Sequence, residues 1–186
     1  WGKAGEVVLD EGDIINIPTG IFRGFENIGL DYGMIMAVLG GDDAGGGVTW
    51  APQVIQDAAE HGLILGDNGK LYDSKKGQTL PKGILPMPIL SEEKLSEMPE
   101  PTAIDVIPNH VARYLDLMGL AEKSPVKVIG EDAILPDKPG FEIDFITRGS
   151  LSNDILMFKD SIVLMPMRGH WSLKWENQTV SLNPGD

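Results

Sequence analysis

The sequence predicts an all-β protein in which two related β domains flank a partly helical linker. Three observations carry this reading. Gly (23) and Pro (13) are plentiful and spread along the 186 residues, and most apolar runs between them are short. Candidate strands recur about every eight to twelve residues at both ends of the chain, the texture of a sandwich or barrel. An internal repeat joins the two ends. Residues 1–13 read W-x4-E-V-V-L-x2-G-D, and residues 175–186 read W-x3-T-V-S-L-x2-G-D. The spacing of about 173 residues is too long for a solenoid and fits two copies of one domain. On this reading residues 1–48 are the back half of a first domain, 49–125 a linker, and 126–186 the front half of a second.

The elements follow in order. Residues 6–9 form a β run that turns at Asp10, Glu11, Gly12 and Asp13. Residues 14–17 read as a short strand stopped by Pro18 and Gly20, and residues 22–28 as another. A loop over 29–33 leads into a buried strand over 34–39, and residues 40–47 are a Gly-rich loop. Pro52 then opens a helix with an apolar stripe of Val54, Ile55, Ala58 and Ala59, closed by Gly62 in a left-handed cap. Residues 63–108 read as a long connection with a short helix over 91–98. Asn109 caps a further helix with Val111, Tyr114, Leu115 and Met118 on one face and Gly119 at its end. Beyond 126, Phe141, Ile143 and Phe145 alternate with Glu142, Asp144 and Ile146, as on a half-buried strand. Residues 161–167 are another apolar strand. Trp171, Leu173 and Trp175 alternate again, turn at Glu176 and Asn177, and return through Val180 and Leu182.

Acids outnumber Lys plus Arg by 28 to 15, a net charge of −13, so nucleic acid and anionic membrane are not expected partners. Zero Cys removes disulfides, thiolate nucleophiles and Cys-based metal centres, and fits a reducing, cytoplasmic setting. Neither a signal peptide nor a membrane-spanning run is visible.

One spacing is more specific than the rest. Gly12-x5-Pro18-x-Gly20-x2-Arg23-x3-Asn27 resembles the second motif of the cupins, G-x5-P-x-G-x2-H-x3-N, at every anchor except the His. Gly12 and Asp13 turn one strand into the next, Pro18 and Gly20 form a corner, and Asn27 ties the following hairpin; Gly185 and Asp186 repeat the lead. The resemblance covers residues 1–39 and about 126–186, and implies tandem jelly-roll barrels, both truncated here. It implies homo-oligomers through sheet packing. It also implies a metal held by three His and a Glu, but here the fourth-ligand position is Arg23, whose guanidinium has no lone pair to give. The earlier motif of the second copy would end at Gly169, placing its Glu at Ile162 and its His pair near Asp154 to Leu156, where no His stands. Neither a metal nor another cofactor is therefore expected. A half barrel exposes strand edges and half a core, so an isolated monomer is expected to be unstable; pairing the two halves into one composite barrel is the other arrangement.

Three side chains are candidates for ligand binding. Arg23 in a barrel mouth would grip a carboxylate or phosphate bidentately, or else pair with Glu26 or lie outward. Trp171 and Trp175 would stack on a ligand as walls, or else fill the core. His61, His110 and His170 are explained by a helix end, a solvated helix start and an outer sheet face. Asp154 and Asp160 would serve acid–base work, or else are solvated loop ends; Lys75 and Lys76 are too few for a nucleic-acid patch. The expected function is a metal-free protein binding a small, acidic molecule. The alternatives are a metalloenzyme resembling bicupin dioxygenases and a structural or oligomerisation module.

Overall fold

The computed structural model describes residues 5–18, 20–39, 49–136, 138, 140–151 and 161–186. The first strand, β1 (Ile14–Ile15), pairs antiparallel with β4 (Val111–Ala112), nearly a hundred positions away, in the register Ile14↔Ala112 and Ile15↔Val111. Helix α1 (Pro52–Glu60) opens with Pro at its first position and ends at Gly62, φ 81°, as its spacing requires. It leads into a hairpin of β2 (Leu63–Leu65) and β3 (Leu71–Asp73), extended by a bridge from Gly66 to Pro86. The Asp73 carboxylate accepts from Lys75 N–H and caps a 3-10 turn over Ser74–Lys76.

Two short helices follow. Ser91 caps α2 (Glu92–Ser96). In α3 (Ala103–His110), the Asp105 carboxylate accepts from both the backbone N–H and the hydroxyl of Thr102, at 2.9 and 2.6 Å. Helix α4 (Tyr114–Leu120) comes directly after β4. The last two sheets are hairpins: β5 (Val126–Ile129) with β6 (Ile143–Phe145), and β7 (Trp171–Trp175) with β8 (Gln178–Leu182).

The fold class is therefore mixed α and β, which corrects the all-β reading of tandem cupin-type jelly-roll barrels. Among the described residues there are four helices and four two-stranded sheets, and no closed barrel. The reason is that apolar alternation specifies a surface, and a strand also needs a partner. Residues 22–28, 34–39 and 161–167 carry strand-like patterns, yet none of them enters a ladder. Among the described residues no strand pairing joins 5–39 to 126–186 either; side chains do that work.

The linker also differs from its sequence reading. Asn109 does not start a helix: it lies near the end of α3, where its amide donates to Asp105 O at 3.1 Å. Val111 belongs to β4, and α4 buries Leu117 while Leu115 is 80% exposed. Gly119 lies inside α4 rather than after it.

The main core sits where three segments meet. Ala112, Leu117, Val128, Ile129 and Leu135 are buried together, with Ile14, Phe141, Ile143 and Phe145 packed around them. The linker thus supplies the centre of the packing. Tyr114 meets Phe145 edge-on at 5.8 Å between ring centres. The core is small for the chain. The surface is 14170 Å², whereas a compact monomer of 20.1 kDa exposes about 8,700 Å².

The internal repeat is present as local geometry. In both copies the Gly has positive φ, 90° at Gly12 and 86° at Gly185. In both, the Asp N–H returns to the carbonyl three residues back at 3.0 Å, from Asp13 to Asp10 and from Asp186 to Asn183. The Asp carboxylate then accepts the N–H of that same residue, Asp10 or Asn183. Trp1 lies outside the described residues.

Gly12 has a second constraint. A Cβ there would overlap Cδ2 of Tyr114, whereas at Gly77, φ 73°, it would meet open space. Gly77→Ala should cost about 1–2 kcal/mol through backbone conformation alone. Gly12→Ala adds overpacking and should cost roughly 3 kcal/mol or more. Urea denaturation of the two variants measures the difference, and equal costs would mean that Tyr114 does not pack on the turn.

Candidate functional site

The densest polar cluster is built around Asp13. Its turn aims the carboxylate at the N-terminus of α4, and the side chain is 3% exposed. One oxygen accepts from Tyr114 N–H at 2.8 Å; the other accepts from Arg113 Nη1 at 2.6 Å and Asp10 N–H at 3.0 Å. Asp13 thus caps a helix about a hundred residues away, with an anion where the helix dipole favours one. Burial pushes the Asp13 pKa up, but the Tyr114 and Asp10 N–H groups and the Arg113 guanidinium outweigh it, and the net shift is below the ordinary Asp value. Arg113 also donates to Val8 O at 2.8 Å. Above it, Arg168 lies over the Tyr114 ring at 4.5 Å and faces Glu11 at 3.8 Å.

Asn16 forms a second junction beside the first. It is 3% exposed, and its N–H donates to His110 O at 2.8 Å. Its own carbonyl meets His110 Nδ1 at 2.9 Å, and its amide donates to Pro136 O. His110 is therefore half-buried and partnered, a correction to its solvated reading: the ring reaches back across the β1–β4 pair. Lys138 donates to Ile17 O at 2.9 Å, and burial lowers its pKa.

The residues singled out from sequence do not converge. Arg23 is exposed, and among the described residues it makes no hydrogen bond or ion pair, to Glu26 or otherwise. Trp171 and Trp175 share one face of the β7–β8 hairpin. Trp171 is half-buried and donates Nε1–H to Arg168 O at 2.9 Å, while Trp175 is 44% exposed. No hydrogen bond, ion pair or cation–π contact links Arg23 to either Trp among the described residues. Gly20 takes positive φ, 85°, beside Pro18. Asn27 ties the 29–33 loop by donating to Asp31 O at 2.7 Å and accepting from Gly29 N–H at 3.0 Å.

His61 closes α1, its Nδ1 2.8 Å from Asp57 O, and His170 is exposed beside Asn183. Asp154, Leu156 and Asp160 lie outside the described residues. Sequence reasoning missed Asn16, Arg113, Tyr114 and Arg168. The partners of Arg113 and Arg168 lie more than fifty positions away in the sequence, so no local signal marks them.

Depressions lie among the described residues, two of them near the helices. One of about 490 Å³ is wide open and is rimmed by Asn109, Gly130, Glu131 and Asp132. The other, about 230 Å³, is an apolar slot between α1 and β2, lined by Ile55, Ala59, Leu63, Leu65, Met87 and Ile89. Neither includes Arg23, Trp171 or Trp175. Among the described residues no three His, Asp or Glu side chains gather as a metal would require, and no helix is long and apolar enough to cross a membrane. Comparison with family models, curated proteins and solved structures finds no match for this chain.

The contacts of the Asp13 carboxylate join two distant segments, and its chemistry is that of a clamp. A depressed carboxylate pKa stabilises the fold above the unfolded value of about 3.9, and that contribution is lost as pH falls through the folded value. Asp13→Ala should cost on the order of 3 kcal/mol near neutral pH, because it leaves the Arg113 and Tyr114 donors without their acceptor. The gap between this variant and the native chain should be constant above about pH 5 and shrink below about pH 4. Urea midpoints taken across that range test it; a gap independent of pH would show that the Asp13 charge is not what matters.

Proposed function

We propose that this chain is an assembly module that works in the cytoplasm and covers its exposed apolar surface with a second copy of itself. The observation that carries this reading is the exposed apolar surface. Among the described residues, large apolar side chains are exposed at positions from Val8 to Val180. A stable dimer needs only about 800 Å² from each partner. The exposed apolar side chains include a group close together in sequence: Phe25, Ile28, Leu30, Met34, Ile35 and Leu39 fall within fifteen residues of one another. Large exposed apolar patches mark interaction sites. Sedimentation velocity over a dilution series should give twice 20.1 kDa or more at high concentration, falling on dilution. A 20.1 kDa species at every concentration sinks the proposal.

A second reading rests on a different observation. Among the described residues Arg113 and Arg168 are engaged by carboxylates, and Arg23 and Arg148 are not. On a chain of net charge −13 an uncommitted guanidinium is suited to an acidic ligand. This is the small-molecule binding reading, with Arg23 as its anchor. Titration with small mono- and dicarboxylates should show binding that weakens at least tenfold in Arg23→Ala, about 1.4 kcal/mol of ionic contact. Unchanged affinity would make Arg23 an ordinary surface residue.

A further inference from the structure

We infer that Asn68 is a self-modification site: when the β2–β3 turn opens, the Gly69 amide nitrogen attacks the Asn68 side chain and converts it, through a cyclic imide, to aspartate or isoaspartate. The turn is a latch, and its opening is recorded in covalent form.

Asn68-Gly69 is the one Asn-Gly pair in the sequence. Gly has no Cβ to crowd the approach to its own nitrogen. In the reaction the Gly69 nitrogen bonds to Asn68 Cγ and the Cγ–Nδ2 bond breaks. The nitrogen's proton leaves with Nδ2 as ammonia. Water then adds to one of the two imide carbonyls. Opening on one side restores an ordinary backbone with aspartate at position 68. Opening on the other leaves an isoaspartyl link with one extra carbon in the main chain. Water is the only co-reactant, and nothing is oxidised or reduced.

The folded turn holds each reacting group. Gly69 N–H donates to Gly66 O at 2.9 Å. Asn68 Oδ1 accepts from Lys70 N–H at 3.1 Å, and Nδ2 donates to the Tyr72 hydroxyl at 2.9 Å. The side chain is curled back on its own turn, so that a Cβ at Gly66 would overlap Oδ1. These bonds act in opposite senses. The one from Lys70 polarises the Asn68 carbonyl toward attack. The one to Gly66 keeps the proton on the nucleophile, because a carbonyl oxygen is too weak a base to remove it. While the turn is closed the second effect governs. Residues 67–70 are all exposed, so water reaches them, and a surface turn opens without unfolding the core.

The product does not fit back into the turn. An extra main-chain carbon displaces the register Leu65↔Leu71 that the turn sets. Either product also loses the Nδ2–H that Tyr72 accepts and adds a charge beside Asp67. The damage reaches α1, because β2 forms the other wall of its apolar slot.

The native chain and the chain in concentrated urea are held at mildly alkaline pH, and the peptide containing Asn68 is followed by mass spectrometry with isoaspartate detection. Conversion in the native chain should be slower by about tenfold or more, since only the open fraction reacts. Tyr72→Phe removes the hydroxyl that holds Nδ2. It should raise the native rate by a factor of about three or more and leave the rate in urea unchanged. Absence of conversion in urea would overturn the site. Equal rates in the native and unfolded chains would overturn the latch, a comparison that needs no variant. A native rate that Tyr72→Phe does not raise would overturn it as well.

Discussion

The structure depends on one carboxylate. Asp13 ends a turn near the start of the chain and satisfies the first N–H of α4 and the guanidinium of Arg113 about a hundred residues later. Three consequences follow from its position. It aligns Ile14 and Ile15 with Val111 and Ala112, so β1 and β4 can pair. It holds Gly12 against the Tyr114 ring, where only a residue without a side chain fits. It also brings Tyr114 to Phe145 and Arg168, which belong to the last third of the chain. Asn16, with bonds to His110 and Pro136, repeats the device one turn away. A buried ionised group persists only where donors surround it, and here the donors come from a different segment.

This construction explains where the core lies. The packed residues are those that the Asp13 and Asn16 junctions draw together: Ile14 from the first segment, Ala112 and Leu117 from the middle, Val128, Ile129 and Leu135 from the last. Residues 25–39 lie outside that reach. Their apolar side chains are exposed, as are Ile162 and Val163. The chain thus has a well-clamped centre and a margin of strand-like segments whose partners the centre does not supply.

Much of the local structure was legible in the residues. The α1 helix with Pro52 at its start and Gly62 at its end, the β7–β8 hairpin turning at Glu176 and Asn177, the alternating Phe141, Ile143 and Phe145, and the Asn27-tied loop all follow from neighbours within a few positions. The repeat was legible too, because a turn with a positive-φ Gly and an Asp that closes on the backbone is a local object. The helix start at Tyr114 was not. Its capping group is Asp13, and the residues nearby pointed to Asn109 instead. The three binding candidates fared likewise: among the described residues Arg23, Trp171 and Trp175 have no common contact.

By itself, the sequence determined turns, caps and which faces are apolar, since these depend on backbone conformation and side-chain spacing over a few residues. It also determined the charge and the absence of thiols. Only the tertiary structure decided which apolar faces find each other, which carboxylate meets which guanidinium, and which strands are left unpaired. Those choices are settled by contacts between residues about a hundred positions apart, and the energy of such a contact belongs to the pair, so neither residue's neighbourhood carries it.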